Sequence, residues 1–317
     1  MEIRDFGRLG RISALTLGGG GIGGVWGRTD RAEAVATVHA AIDAGITMLD
    51  LAPGYGEDAE SERAVGEALR QRPADHVMVT SKVPLPDDED GDIAGRIGRN
   101  LRASLDRIGR DHLDLFLLHT QLRPTYDEER PVPRNIGWRQ YRDEVVPEFE
   151  RLREAGLIRG WGITAVGHPD GVLAALREAP TPDAAQVVVN ALDMAGDIWP
   201  WGDVPSANDE VLRAANDNGV AVVGIRAVAA GSLTSALDRD LPPEHPAAVD
   251  FARAEPFRKL AAEMGETPAS LAHRYALSVP GVATVVLGVK NRAELAECLA
   301  AEARGPLTAE QLVAIRA

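Results

Sequence analysis

Residues 47–56 read TMLDLAPGYG, and this stretch decides how the rest of the chain is interpreted. The apolar run at 46–49 has the composition of a buried strand, and it leads directly to the carboxylate of Asp50. Tyr55 follows within a segment rich in proline and glycine, which favours a turn. The stretch therefore predicts a buried strand that ends in an acid, followed by a loop that carries a phenol.

Two later apolar runs also lead to ionisable side chains. The run at 77–80 is followed closely by Lys82, and the run at 113–118 continues directly into His119. In a parallel α/β barrel the carboxyl ends of the strands meet at one mouth, where such folds carry out their chemistry. We therefore expect the lysine and the histidine to meet the acid and the phenol of the first stretch and to transfer protons there.

The spacing of apolar runs predicts the fold class. Eight short runs lie at residues 15–17, 46–49, 77–80, 113–118, 159–163, 185–189, 221–225 and 283–287. Segments with helical patterning separate them, for example 31–44 and 96–108, and Gly45 and Gly109 follow these two segments. Alternating β and α elements indicate a parallel sheet, and eight pairs indicate a closed (β/α)8 TIM barrel.

The start of the chain and its long loop complete this organisation. Residues 2–6 and 11–14 flank a glycine-containing turn, which predicts a β-hairpin that plugs the N-terminal end of the barrel. The segment 121–143 has little periodicity, and a loop of that length is typically functional or disordered. No segment rich in proline, glycine and serine divides the chain, so residues 1–317 are predicted to form a single barrel domain.

Composition excludes several classes of function. With 48 acidic and 34 basic residues the formal charge is -14, which disfavours binding to nucleic acid or to an anionic membrane surface. The sequence has no apolar run long enough for a membrane-spanning helix, and its first residues lack the layout of a signal peptide. A single cysteine, Cys298, fits a reducing cytoplasm. No metal site is predicted, and the oligomeric state is left open.

The order and setting of Asp50, Tyr55, Lys82 and His119 resemble the catalytic tetrad of the aldo-keto reductases. The resemblance spans nearly the whole chain, and the chain's end near residue 317 is similar to microbial-type members with a short C-terminus. It implies a reversible NADP(H)-dependent oxidoreductase that reduces aldehydes, ketones or sugar carbonyls to alcohols. A small-molecule carbonyl or alcohol is then the expected partner.

The resemblance implies a role for each member of the tetrad. Tyr55 is the expected general acid, although a free phenol with a pKa near ~10 gives up its proton reluctantly at neutral pH. A charged Lys82 beside the phenol is expected to lower that pKa, and Asp50 is expected to hold Lys82 charged and in place. His119 is expected to donate to the carbonyl oxygen and to orient it.

The resemblance also implies the residues that contact the cofactor. They are Gly19, Gly20, Asp50, Thr164, Gln186, Ile225, Arg226, Gly231, Gly288, Lys290, Arg292 and Glu297. Thr164 and Gln186 match positions that hold the nicotinamide carboxamide, and Ile225 replaces a stacking tyrosine. Arg226 is expected to reach the pyrophosphate or the substrate.

The choice between cofactors depends on the segment at 288–294. Lys290 and Arg292 could neutralise an adenosine 2'-phosphate, which favours NADP(H) over NAD(H). Glu294 argues in the other direction, because many family members carry an arginine there. Trp26, Trp138 and Trp201 fall in predicted loops at the catalytic face and are expected to line the substrate pocket.

Three alternatives to this interpretation stay open. Gly18, Gly20 and Gly23 satisfy the G-x-G-x-x-G pattern of a Rossmann fold, but the sequence predicts no helix opening within that run. The chain could instead be a non-catalytic nicotinamide-binding barrel subunit. It could also be a Schiff-base aldolase that uses Lys82 as its nucleophile, although a nearby Asp50 would keep the amine protonated.

Overall fold

The computed structural model of the chain describes residues 1–85, 92–127, 135–194 and 196–316. The strands are β1 (Ile3–Asp5), β2 (Arg11–Ser13), β3 (Leu15–Gly18), β4 (Met48–Asp50), β5 (Met78–Val83), β6 (Leu113–Leu118), β7 (Gln121–Leu122), β8 (Asn135–Ile136), β9 (Ile158–Thr164), β10 (Ala184–Val188), β11 (Ala221–Ile225) and β12 (Val282–Leu287). The α-helices are α1 (Gly19–Ile22), α2 (Arg31–Asp43), α3 (Glu60–Gln71), α4 (Ile93–Ile108), α5 (Trp138–Gln140), α6 (Val146–Glu154), α7 (Pro169–Arg177), α8 (Asn208–Asp217), α9 (Pro246–Arg253), α10 (Glu255–Glu263), α11 (Pro268–Ser278), α12 (Arg292–Ala303) and α13 (Ala309–Arg316).

Eight of these strands close a parallel barrel, which confirms the predicted (β/α)8 fold. Going round the barrel, the order is β3, β4, β5, β6, β9, β10, β11 and β12, with β12 paired to β3. Each strand overlaps one of the eight apolar runs. The strand β5 is longer than the sequence indicates, so Lys82 lies within it rather than after it. All the residues of β5 are buried, as expected for a strand covered on both faces.

The predicted hairpin is formed by β1 and β2, which pair antiparallel. Phe6 and Ile12 from this hairpin are fully buried and pack against Met48 and Leu115 inside the barrel. The hairpin therefore closes one end of the barrel with apolar side chains and leaves the opposite end for the site.

Short-range signals mark the ends of several helices as the sequence indicates. Asp30 precedes α2 and its side chain accepts a hydrogen bond from the Glu33 backbone N–H. The α4 helix ends at Gly109, which has a φ of 79°, a left-handed conformation that glycine adopts without strain. Among the described residues no helix is both long and apolar enough to cross a membrane.

Two irregular segments contain more regular structure than the sequence indicates. A helical turn, α1, does open within the glycine run. It passes directly beneath the loop after β12, where a Cβ on Gly21 would lie 2.0 Å from the Val289 carbonyl oxygen. The long segment after β6 also contains structure, because β7 pairs with β8 and helical turns follow from Trp138 onward. Residues 128–134 of that segment lie outside the described residues.

Candidate active site

Asp50 and Lys82 form an ion pair at the ends of adjacent strands. The Lys82 Nζ lies 2.8 Å from Asp50 Oδ2 and also donates to the Leu51 carbonyl oxygen at 2.8 Å. Lys82 is 0% exposed and Asp50 is 2% exposed. The sequence predicted this ion pair, but it gave no signal for the Leu51 backbone acceptor.

Tyr55 and His119 complete the predicted group of four. The Lys82 Nζ lies 4.6 Å from the centre of the Tyr55 ring. The rings of Tyr55 and His119 meet edge to face with their centroids 5.7 Å apart. The structure therefore brings together a cation, a phenol and an imidazole that come from three different loops and strands, next to the Asp50 carboxylate.

The surroundings of Tyr55 and Lys82 determine the pKa of each side chain. Burial raises the pKa of Tyr55, and the opposing effect of the Lys82 charge is too small to reverse it. The phenol therefore keeps its proton more firmly than a free tyrosine. Lys82 does lower the pKa, as the sequence predicted, but burial outweighs this effect. Burial alone would lower the pKa of Lys82, but the Asp50 and Tyr55 side chains raise it above its ordinary value, so Lys82 stays charged.

Two predicted carboxamide contacts lie beside this group. Gln186 reaches across the barrel, and its Nε2 donates to Asp50 Oδ1 at 2.8 Å. Thr164 pairs with Gln186 in the β9–β10 register. The Thr164 hydroxyl is buried and has no hydrogen-bond partner among the described residues. An unpartnered buried hydroxyl of this kind fits a ligand that brings its own polar group, as a nicotinamide carboxamide would.

Ser81, for which the sequence predicts no role, is connected by the structure to the outer helices. Because side chains alternate along a strand, Ser81 faces away from Lys82. Its hydroxyl donates to Glu62 Oε1 at 2.6 Å, and Glu62 is also paired with Arg107. This buried network anchors β5 to α3 and α4, and it holds the backbone that carries Lys82. The alternation of side chains along β5 was the one sequence signal that could have placed Ser81 on the outer face of the barrel.

The glycines predicted to contact the cofactor have packing roles within the chain. A Cβ on Gly19 would lie 3.0 Å from Ser61, and one on Gly20 would lie 2.8 Å from the Trp26 Nε1. Trp26 also lies over Gly288, where an added Cβ would be 3.5 Å from the Trp26 ring. A close approach of a dinucleotide to these glycines therefore stays a prediction, because the protein's own contacts already require small residues there.

The predicted adenosine-binding cations already have acidic partners. The Lys290 Nζ lies 2.8 Å from Asp238 Oδ2 and 2.9 Å from Glu294 Oε1. Arg292 makes a two-pronged contact with Glu33, whose nearest oxygen is 2.8 Å away. Glu297, predicted to contact adenine, accepts a hydrogen bond from Thr267.

The residues after β11 follow the expectation less closely. Ile225 ends that strand and is half-buried. Arg226 has a φ of 58°, and its guanidinium is directed at Gly196, where an added Cβ would lie 2.5 Å from its terminal nitrogen. This direction leads toward the loop after β10, and contact of Arg226 with a pyrophosphate or with the substrate stays a prediction. Gly231 has a φ of 95°, which suits glycine.

Two of the three predicted substrate-binding tryptophans are buried. Trp201 is 0% exposed, and its indole donates to Gln121 Oε1 at 2.9 Å. Trp138 is 7% exposed and packs against Tyr141. Both indole rings are packed inside the protein. They expose little surface to a substrate, so this structure does not support their predicted role. Trp26 is partly exposed and carries the Arg239 guanidinium 5.5 Å from its ring centre.

Comparison with known proteins places the chain in a family. The sequence profile of the Aldo/keto reductase family matches residues 14–317. L-galactose dehydrogenase of Arabidopsis thaliana is 26% identical over 306 residues, which cover 95% of this chain and 88% of the relative. NADH-specific methylglyoxal reductase of Escherichia coli (strain K12) is 28% identical over 249 residues, which cover 73% and 68%.

A solved structure has the same fold. The holo form of aldo-keto reductase AKR11C1 from Bacillus halodurans superposes with a TM-score of 0.72 at 24% identity, covering 100% of this chain and 95% of that chain. Members of the family use nicotinamide cofactors and act on small-molecule carbonyl compounds. The chain belongs to the aldo/keto reductase family and is a carbonyl-reducing oxidoreductase of that class.

Proposed function

We propose that Tyr55 is the general acid of this enzyme and protonates the oxygen of an aldehyde, ketone or sugar carbonyl. The observation that carries the proposal is the setting of Lys82. This fully buried cation is held by Asp50 and the Leu51 carbonyl oxygen at 2.8 Å each, and it lies 4.6 Å from the Tyr55 ring centre. An arrangement that keeps a charge desolvated next to a phenol favours transfer of the phenolic proton.

Each side chain then has a distinct task in the reduction. Tyr55 gives its proton to the carbonyl oxygen and becomes a phenolate, which the Lys82 charge stabilises at that moment. The raised pKa of Tyr55 keeps the phenol protonated at neutral pH, so the acid is loaded before the substrate arrives. His119, edge to face with the Tyr55 ring, orients the carbonyl oxygen. The reverse reaction uses the phenolate as base for an alcohol.

The cofactor supplies the other half of the chemistry. A bound reduced nicotinamide provides the hydride that the carbonyl carbon receives. The Thr164 hydroxyl and the Gln186 amide are the groups that we propose to hold its carboxamide, and the buried, unpartnered state of the Thr164 hydroxyl supports this. The sequence favoured NADP(H) because of Lys290 and Arg292. One relative is named NADH-specific, and both cations here contact carboxylates.

The two functional alternatives receive less support. A Schiff-base aldolase needs a neutral lysine nucleophile, whereas the raised pKa of Lys82 keeps its amine charged. A non-catalytic nicotinamide-binding subunit has no need of a buried ion pair below a phenol. We therefore favour the reductase.

We also propose that residues 1–317 act as a single barrel domain in the cytoplasm. The match of the family profile to residues 14–317 supports the first part. The use of a single cysteine, Cys298, supports a reducing compartment.

The proposal is tested with a panel of aldehydes, ketones and sugars, each assayed with NADPH and with NADH. On the best substrate, Tyr55→Phe should slow hydride transfer in a single turnover by roughly 100- to 10,000-fold, because the proton donor is lost while the ring stays. Tyr126→Phe is the matched control, since Tyr126 is 74% exposed and lies outside the group of four.

Near-normal single-turnover rates in Tyr55→Phe would show that another group supplies the proton. A wild-type chain that reduces no member of the panel would support the non-catalytic alternative instead.

A further inference from the structure

We propose that the loop between β12 and α12 selects NAD(H) over NADP(H), through the carboxylates of Glu33, Asp238 and Glu294. The inference rests on the proposed function, because it takes the adenosine end of the dinucleotide to lie at this loop. Barrels of this type frequently bind phosphate with the loops after the last two strands and a nearby helix N-terminus. The loop also packs on the glycine turn α1 through the Val289 carbonyl oxygen.

Three backbone donors at and just before the start of α12 are already used by the protein. The Lys290 N–H donates to Glu294 Oε2 at 2.9 Å, and the Arg292 N–H donates to Glu33 Oε1 at 2.9 Å. The Glu294 N–H donates to the Asn291 side chain at 3.0 Å. A helix N-terminus usually attracts an anion through such free N–H groups. Here two carboxylates take the place that a phosphate would use.

The two cationic side chains are neutralised in the same way. Lys290 lies between Asp238 and Glu294, with Nζ–oxygen distances of 2.8 and 2.9 Å. The guanidinium of Arg292 contacts both oxygens of Glu33, at 3.1 and 2.8 Å. Asp238 also pairs with Arg239, at 3.5 Å. Glu33, Asp238 and Glu294 therefore set three negative charges against the three positive charges of Lys290, Arg292 and Arg239, so the cations at this loop are already neutralised by the protein.

A phosphate and a hydroxyl meet this surface very differently. A 2'-phosphate monoester carries about -1.5 to -2 charges at neutral pH and offers acceptor oxygens. To bind, it would have to separate Lys290 and Arg292 from their partners and then lie beside the displaced carboxylates. A ribose 2'-hydroxyl is neutral and can donate its proton to a carboxylate. The charges of this loop thus favour the cofactor without the extra phosphate.

The test measures binding without turnover. Dissociation constants for NADH and NADPH are determined by quenching of intrinsic tryptophan fluorescence, in the absence of any carbonyl substrate. We expect NADH to bind about tenfold or more tightly than NADPH, in line with the loss of a charged contact and the gain of a like-charge repulsion. Lower salt should widen the difference, because the repulsion is then less screened.

The double variant Glu33→Gln with Glu294→Gln should reverse part of the preference. Glutamine keeps an oxygen that can accept from the Lys290 and Arg292 N–H groups, so the helix start stays capped while two negative charges are removed. NADPH binding should strengthen about tenfold, with little change for NADH. Glu302→Gln is the control, because Glu302 lies at the far end of α12 and accepts from the Glu2 N–H.

The outcomes separate this inference from the proposed function. Tighter binding of NADPH than of NADH by the wild-type chain, or equal binding of the two, would overturn the selection of NAD(H) and leave the reductase proposal standing. An equal gain in NADPH affinity in Glu302→Gln and in the double variant would overturn the assignment to these carboxylates. Binding of neither dinucleotide would overturn both proposals together.

Discussion

Two lysines, at what we propose are the two ends of the cofactor site, have nearly the same contacts and very different surroundings. Lys82 lies 2.8 Å from Asp50, and Lys290 lies 2.8 Å from Asp238 and 2.9 Å from Glu294. The Lys82 side chain is 0% exposed, whereas that of Lys290 is 18% exposed and its partners are about one-third exposed. The distances alone would rank these ion pairs as equal. Burial makes the Lys82 ion pair costly to break, whereas water can solvate the partners of the more exposed Lys290 ion pairs.

The partners of the two lysines also set different local charges. Lys82 meets one carboxylate and one neutral carbonyl oxygen, so the buried pair is balanced. Lys290 meets two carboxylates, of which Asp238 also pairs with Arg239, so its charge is already neutralised. The first end can stabilise a phenolate that forms during proton transfer. At the second end the cations already contact carboxylates, which is why we propose that it disfavours an added phosphate. A lysine in a motif therefore indicates a positive site only when its partners are known.

The same substitution at both lysines gives the largest expected contrast. Lys82→Met should lower the free energy of unfolding by about 3–5 kcal/mol, because it leaves the Asp50 carboxylate buried without its cation. Lys290→Met should change it by about 0–1 kcal/mol, because water can solvate the partners of Lys290. Urea denaturation of the two variants measures both values. Equal destabilisation would show that burial does not distinguish the two pairs.

Catalysis should follow the same contrast. In Lys82→Met the phenolate of Tyr55 loses its stabilising charge, so single-turnover reduction should slow by roughly 100- to 10,000-fold. Lys290→Met should leave the single-turnover rate with saturating NADH near the wild-type value, because Lys290 lies away from the reacting atoms. A similar loss in both variants would place Lys290 in the chemical step.

Sequence alone was sufficient to predict the fold and the grouping of Asp50, Tyr55, Lys82 and His119. The eight apolar runs match the eight barrel strands, and strand ends carry Asp50 and Lys82 into one mouth without any need for long-range information. Buried strands leave a strong local pattern, and a parallel barrel collects their carboxyl ends by geometry. This is why four residues spread over the first part of the chain could be grouped from the sequence alone.

The end at Lys290 could not be predicted because its chemistry depends on distant partners. Lys290 and Asp238 are 52 positions apart, and Arg292 and Glu33 are 259 positions apart. Nothing in the residues around Lys290 shows that a loop carboxylate will meet it. The raised pKa of Tyr55 was missed for a related reason, since it results from how fully the neighbours exclude water. The ion-pair partners of Lys290 and Arg292, and the burial of Tyr55, are set only when the chain folds.

A third prediction concerns the alkaline titration of Tyr55. Its folded-state pKa is raised, so the folded chain holds this proton more tightly than the unfolded chain. The resulting stability is fully present below the ordinary phenol pKa of ~10 and is lost as the pH rises through the folded value. The difference in phenolate absorbance between wild type and Tyr55→Phe isolates this one phenol, and it should appear above pH ~10.

The two lysines should differ in this titration as well. Lys82→Met should move the appearance of the Tyr55 phenolate to still higher pH, because the cation that lowers this pKa has gone. Lys290→Met should leave it in place. A Tyr55 phenolate that forms below pH ~10 in the wild type would contradict the raised pKa.

The smallest expected effects test whether the buried end is shaped for a ligand. The Thr164 and Thr80 hydroxyls are both buried without a partner among the described residues, whereas the Lys290 and Arg292 N–H groups near the start of α12 donate to carboxylates. Replacing either threonine with valine should stabilise the free chain by about 1 kcal/mol, because an unmet hydroxyl disappears. Thr164→Val should also weaken NADH binding about tenfold, through the loss of one hydrogen bond to the carboxamide. Thr80→Val, the matched control deeper in β5, should bind NADH normally. Unchanged binding in both variants would show that the Thr164 hydroxyl does not face the cofactor.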